Sequence, residues 1–313
     1  MASRPAPATT TQTTALAAAE EALLRGTGIE IARQETVVNG IRLHYLTCGE
    51  GPPLLLLHGR GSAAARFAPV LPLLAAERRV IALDLPGWGL SDKPPFTGHS
   101  ATDALTFWAD AVRGFLDDQG LDQIDLLGHS MGGFTALGVA LAAPERVGRL
   151  VLVDPGGLGT RVQLDLRLFY ALGPERLQRI FGARLTRYIF ARETRQPDAA
   201  DANLEFAFLR ALATQAEVIP SGAKAFNAWV SLTGVHLTLT DRLAELPMPV
   251  LLLWGVRDQI TPYADALHAA RHLRDGTFVT FVRCGHAPFA ERPADFAQVL
   301  LTWLKGIHVR SRA

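Results

Sequence analysis

The ten residues Ile124-Asp125-Leu126-Leu127-Gly128-His129-Ser130-Met131-Gly132-Gly133 decide how the chain is read. Ile124–Leu127 has the length and apolar character of a buried strand, and Gly133 to Ala143 continues with helical patterning. Between them lies G-x-S-x-G. Alone, that pattern is a common Gly/Ser turn; between a strand and a helix it describes a serine lifted onto a sharp bend. Such a bend strains the serine backbone and leaves no room for side chains at Gly128 and Gly132. It also aims a helix N-terminus at the hydroxyl, where developing negative charge is favoured. Ser130 is the candidate nucleophile.

Outward from this turn the pattern repeats. Leu54–Leu57, Val80–Leu83, Leu150–Val153, Val250–Leu253 and Phe278–Val282 are short continuous apolar runs, as in strands covered on both faces. Amphipathic stretches such as Ala104–Gln119 lie between them, so an α/β fold is expected, with binding at the carboxyl ends of a parallel sheet. Glu35–Val38 and Ile41–Thr47, joined by Asn39-Gly40, predict a hairpin. Ala15–Arg25 predicts a helix closed by Gly26. From Val153 to Val250 the rhythm breaks. Helical patterns at Val162–Leu172, Pro174–Phe190, Ala199–Glu217 and Lys224–Leu232 replace the β-runs. Structureless loops of that length are rare, so residues 158–239 are expected to form a helical cap inserted in a core of residues 1–157 and 240–313. Residues 1–14 read as a polar tail.

Composition narrows the function. Of 313 residues 49% are hydrophobic and 19% charged, too apolar a mixture for a disordered chain. Lys+Arg 31 against Asp+Glu 30 leaves a net charge of +1, which gives no field for a nucleic acid or an anionic membrane surface. The apolar runs fall far short of the roughly 20 residues that span a bilayer, and the first residues lack the apolar segment of a secretory signal. With two cysteines, Cys48 and Cys284, and no zinc-like spacing, the expectation is a cytoplasmic protein without metal or cofactor.

A serine hydroxyl needs a base. Of nine histidines, His286 in Cys284-Gly285-His286-Ala287-Pro288 follows the last strand, where a loop can return over the sheet edge. His129 beside the serine reads as packing or solvent-facing, His58 as structural, and His44 as one of several surface histidines. The imidazole in turn needs a carboxylate to fix its tautomer. Asp258, after the run Val250–Leu253, fits the chain order Ser…Asp…His; Asp154, at the end of Leu150–Val153, is the rival. Asp84 reads as the stabiliser of its own turn. Backbone N–H groups of Met131 and Arg60 are the expected oxyanion donors, because Gly59 lets the chain fold toward the serine. The Arg60 side chain reads either as a loop charge or as a contact for an anionic substrate. Phe226, Trp229, Phe208 and the other aromatics of the insertion read first as its core and second as a pocket.

Taken together, Leu57-His58-Gly59, Asp84-Leu85-Pro86-Gly87-Trp88-Gly89, the serine turn, Trp254-Gly255 with Asp258, and Gly285-His286 resemble the α/β-hydrolase superfamily. Within it the chain is most similar to capped bacterial serine hydrolases, the carboxylesterases and lipases carrying G-H-S-M-G-G. The resemblance covers about Ile31 to Leu304, excluding the cap. It implies a mostly parallel eight-stranded sheet, a Ser130–His286–Asp258 triad, and hydrolysis of a small apolar ester through an acyl-enzyme. Relatives that form alkyl esters need Asp at the turn and are set aside. Hydrolysis of C–C bonds in vinylogous diketones is the alternative. Asp154-Pro155-Gly156-Gly157-Leu158-Gly159 is similar to that group, whereas His129 and Ala287 stand where it usually carries Asn and often Trp. Lactonase, amidase or perhydrolase chemistry ranks lower, and an idle scaffold lower still because all three triad members are present.

Overall fold

Apolar runs bury both faces of a strand only if helices cover both faces of the sheet, and the chain folds that way. The computed structural model describes residues 10–162, 202–215 and 220–307, with isolated positions between 167 and 188. Strands β1 (Ala32–Val38), β2 (Ile41–Cys48), β3 (Pro53–Leu57), β4 (Arg79–Leu83), β5 (Ile124–His129), β6 (Val147–Val153), β9 (Val250–Gly255) and β10 (Gly276–Phe281) form one sheet in the order β1-β2-β4-β3-β5-β6-β9-β10. β2 runs antiparallel to both β1 and β4, and the other neighbours are parallel. Alternate residues feed two cores. Leu55, Leu57, Ile81, Leu83, Leu150 and Leu152 enter one, whereas Leu54, Leu56, Val80, Ala82, Val151 and Val153 enter the other.

Helices α1 (Thr10–Arg25), α2 (Leu71–Ala75), α3 (Ala101–Asp118), α4 (Met131–Ala142), α5 (Ala202–Gln215), α6 (Pro220–Trp229), α7 (Tyr263–Ala270), α8 (Pro288–Glu291) and α9 (Pro293–Leu304) accompany the sheet. A reciprocal cap starts α3: Ser100 accepts from the Asp103 N–H, and Asp103 accepts from that of Ser100. In the insertion, α5 lies within the expected stretch Ala199–Glu217, while α6 starts earlier than the expected Lys224–Leu232 and ends at Trp229, Val230–Ser231 being extended instead. The expected helices at Val162–Leu172 and Pro174–Phe190 fall mostly outside the described residues, as do residues 1–9 of the expected tail. The tail reading is corrected at Thr10–Thr14, which join α1. The insertion also holds a small ribbon, β7 (Val230–Ser231) with β8 (Gly234–Val235), too short to register as an apolar run.

His44 is not a surface residue. On β2, only 3% exposed, it places Nδ1 3.0 Å from Asp84 Oδ2 and Nε2 3.4 Å from Glu20 of α1. Asp84 does more than hold its own turn: it also accepts from the N–H groups of Ala64 and Leu90. Glu20, fully buried, accepts from Arg33 Nε at 2.8 Å. Burial raises the Glu20 carboxyl to about 7, Asp84 adding to the rise while His44 and Arg33 oppose it. The folded chain therefore keeps a proton that the unfolded chain releases at ordinary carboxylate pH. Stability should fall as pH climbs from about 4.5 to 7, and the raised His44 acts in the same direction. In urea unfolding, the midpoint of wild type should drop between pH 5 and 8, and Glu20→Gln should drop less. An equal drop in both would refute the buried acid.

Candidate active site

The strain expected of the serine turn is present. Ser130 sits between β5 and α4 with φ 54° and ψ −117°. A methyl on Gly132 would collide with the carbonyl oxygens of Leu57 and His58, and one on Gly128 with the Gly132 backbone. Only bare backbone lets the turn seat itself beside β3. The loop after β3 reaches it from the other side: a Cβ on Gly59 would lie 3.1 Å from Ser130 Cβ. Neutral His58 fixes that loop, accepting from the Leu85 N–H at 3.0 Å while Nδ1 donates to the Gly59 carbonyl at 2.7 Å. Burial lowers its basicity, which keeps this tautomer uncharged.

Arg60, Ser130 and Met131 line one cleft of about 600 Å³, open solvent included. Met131 begins α4, so its N–H has no carbonyl one turn earlier. The Arg60 guanidinium does not extend into solvent as a loop charge: it lies 4.8 Å from the Phe226 ring centroid and 5.9 Å from that of Trp88. Phe226 and Trp229 of α6 form an apolar wall, and Trp229 stacks on Phe134 of α4 at 3.9 Å between ring centroids. Phe208, by contrast, joins the core around α1 and α2.

At the carboxyl ends of β9 and β10, Asp258 Oδ2 lies 2.7 Å from His286 Nδ1. Asp258 Oδ1 accepts from the N–H groups of Ile260 and Thr261, and Thr261 Oγ1 donates to Oδ2 at 2.6 Å. With Nδ1–H directed at a carboxylate, Nε2 carries the lone pair of the neutral ring. Asp154 is not His286's hydrogen-bonded partner. It is fully buried beside the pair, Oδ1 accepting from the Gly255 N–H at 2.8 Å, and burial together with the Asp258 charge pushes its carboxyl well above the usual range.

Sequence reasoning undervalued His129. It is buried, and its Nε2–H donates to the His286 carbonyl at 2.7 Å, fastening the histidine loop to the serine turn. Burial and the neighbouring His286 hold it far below ordinary histidine basicity, so it stays a neutral donor. Its place beside Ser130 was the available signal. Cys284 is buried as well, its thiol pushed up to about 12, and offers no competing thiolate. Among the described residues, two groups bring three donor atoms within 4.8 Å, Asp154/Asp258/His286 and Glu20/His44/Asp84. In each, the imidazole Nδ1 lies within hydrogen-bond distance of an aspartate oxygen.

This combination of sheet, serine turn and histidine–carboxylate pair defines a hydrolase architecture. The model of the alpha/beta hydrolase fold matches residues 52–293, and the chain belongs to that family. It is 32% identical over 283 residues to 2-hydroxymuconate semialdehyde hydrolase of Pseudomonas sp. (strain CF600), covering 87% of this chain and 93% of that protein. Among solved structures it is similar to a bacterial membrane phospholipase A, with 27% identity, TM-score 0.79, and 95% and 92% of the two chains covered. It is similar also to 2-hydroxy-6-oxo-6-phenylhexa-2,4-dienoate hydrolase from Rhodococcus sp. strain RHA1, with 25% identity, TM-score 0.76, and 88% and 99% covered.

Replacing His129 with Leu should keep the fold but release the His286 main chain. Misplacing a reacting group by about 1 Å costs on the order of 10² in rate, so kcat should fall by that order while circular dichroism is unchanged. Wild-type kcat in the variant would remove the positioning role.

Proposed function

We propose that the protein is a serine hydrolase that cleaves the C–C bond beside the terminal carbonyl, aldehyde or ketone, of carboxylate-bearing 2-hydroxy-6-oxodienoates. The observation that carries this reading is the 32% identity, along most of both chains, to a hydrolase of 2-hydroxymuconate semialdehyde. It reverses the order in which the two chemistries stood from sequence alone, where the ester came first. The Arg60 guanidinium at the cleft edge supports it, because such a substrate carries a carboxylate that an ester of an apolar acid lacks.

In this reading His286 Nε2 takes the Ser130 proton and Oγ attacks the terminal carbonyl carbon. The N–H groups of Met131 and Arg60 receive the oxyanion, and Asp258 stabilises the imidazolium. Collapse breaks the bond to the adjacent carbon. The electron pair passes into the conjugated vinylogous carbonyl, and His286 returns its proton to the leaving fragment. Water then enters and His286 removes a proton from it; the oxygen adds to the acyl carbon, and the carboxylic acid departs as His286 returns the proton to Ser130 Oγ. The insertion, with Phe226 and Trp229 over the serine, covers the apolar end of the substrate.

Carboxylic ester hydrolysis is the second reading. The likeness to a phospholipase at TM-score 0.79 favours it, and so do His129 and Ala287 at positions where the C–C hydrolases usually differ. The acyl half of the mechanism is common to both. Assays with a 2-hydroxy-6-oxodienoate, followed by loss of its absorbance, and with p-nitrophenyl esters separate them. Turnover of the dienoate with the larger kcat/KM is expected; ester turnover with an untouched dienoate would establish the second reading instead. Ser130→Ala should reduce either activity by on the order of 10⁶, and a variant retaining a tenth of the activity would exclude Ser130 as nucleophile.

A further inference from the structure

Two buried carboxyls stand behind one imidazole. Donor atoms of Asp154, Asp258 and His286 all lie within 4.8 Å of one another, Asp154 with no exposed surface and Asp258 with 9%. Two ionised carboxylates at that spacing, away from water, repel strongly. Their surroundings differ. The Asp258 carboxyl accepts from the N–H groups of Ile260 and Thr261, from Thr261 Oγ1 and from His286 Nδ1, whereas the Asp154 carboxyl accepts only from the Gly255 N–H among the described contacts. Asp154 Oδ2 is buried and makes no hydrogen bond to a described residue. The charged or titratable groups around Asp154 are Asp258 after β9, His286 and Cys284 after β10, and Glu291 of α8.

We propose that the acid of the triad is a carboxyl pair sharing one negative charge: Asp258 carries it facing His286, and Asp154 is a positioning residue that holds the proton and takes over the charge when Asp258 cannot. The four donors on Asp258 against one on Asp154 set that direction. Burial of Asp154 and its repulsion from Asp258 agree with it. The proposal rests on the reading of Ser130, His286 and Asp258 as the reacting triad. Asp154 lies at φ 43°, a conformation Asn also tolerates, so the conservative variant keeps the backbone.

The test compares wild type, Asp154→Asn, Asp258→Asn and the double variant, each checked for native circular dichroism, using a slow p-nitrophenyl ester or the dienoate across pH. Asp154→Asn alone should lose less kcat than Asp258→Asn does. Asp258→Asn should retain a residue of activity that rises with pH as Asp154 ionises, well above the loss of roughly 10⁴ seen where no second acid exists. The double variant should fall at least a further tenfold and lose that rise. Equal activity of Asp258→Asn and the double variant, or a collapse in Asp154→Asn alone, would overturn the pair. Infrared difference spectra read the same point without turnover: wild type should show the C=O stretch of a buried protonated carboxyl, absent in Asp154→Asn. A spectrum unchanged by that substitution would also overturn it, whereas a wild type inert toward both substrates but carrying the band would fault the activity reading and leave the pair standing.

Discussion

Backbone packed directly on backbone at Ser130 is the constraint from which the rest follows. Gly132 sits so close to the carbonyls of Leu57 and His58, and Gly128 to Gly132, that the turn, strand β3 and the start of α4 form one tightly fitted unit. That contact holds the serine at a positive φ a free chain would abandon. It also brings the Gly59–Arg60 loop to the hydroxyl. Four backbone bonds keep the unit from relaxing: Ser130 N–H donates to the Val153 carbonyl, and the N–H groups of Gly133, Phe134 and Gly156 donate to the Ser130 carbonyl, tying the turn to β6 and to its own helix.

The other half of the site depends on the sheet rather than on a turn. β9 and β10 run side by side in parallel register, so the loops leaving them start at the same level. The Arg257 N–H donates to the Cys284 carbonyl, and Val256 to Phe281, clasping the two loops before either reaches its functional side chain. Asp258 and His286 thus meet at 2.7 Å. His129 joins the halves, since its ring donates from the serine turn to the main chain of His286. A neutral donor is required there. A second cation there would lie against His286, and burial prevents it from forming.

Much of this was legible in the residues. Continuous apolar runs gave the two-faced sheet, Asn39-Gly40 its hairpin, and the glycines around Ser130 the strained turn. The polar interior was not legible, because nothing local distinguishes a buried histidine from an exposed one. His44 lies on a strand whose neighbours point it at Asp84, and the third member of the cluster, Glu20, comes from a helix that simple patterning gives no reason to place there. His129 hid for a similar reason: its partner is a backbone carbonyl 157 residues away, which has no residue-type signature. Asp154 and Asp258 could be named as rivals from position, but only their unequal donor sets separate the hydrogen-bonded partner from the neighbour. The short ribbon β7–β8 escaped because two-residue strands have no periodicity to detect.

Helix α1 rests on α5, with Leu16, Leu23 and Leu24 in the same core as Phe208 and Leu212. Helix α1 is therefore sealed by a segment made long afterwards. At a synthesis rate of about 5–20 residues per second, the interval between Arg25 and Ala202 leaves that leucine face without its partner for on the order of 10–40 s. The nascent chain emerges with an oily helix that the first half of the sheet covers only in part. Its biogenesis is thus exposed to premature sticking in a way that the finished enzyme, with the helix locked under the insertion, no longer reveals.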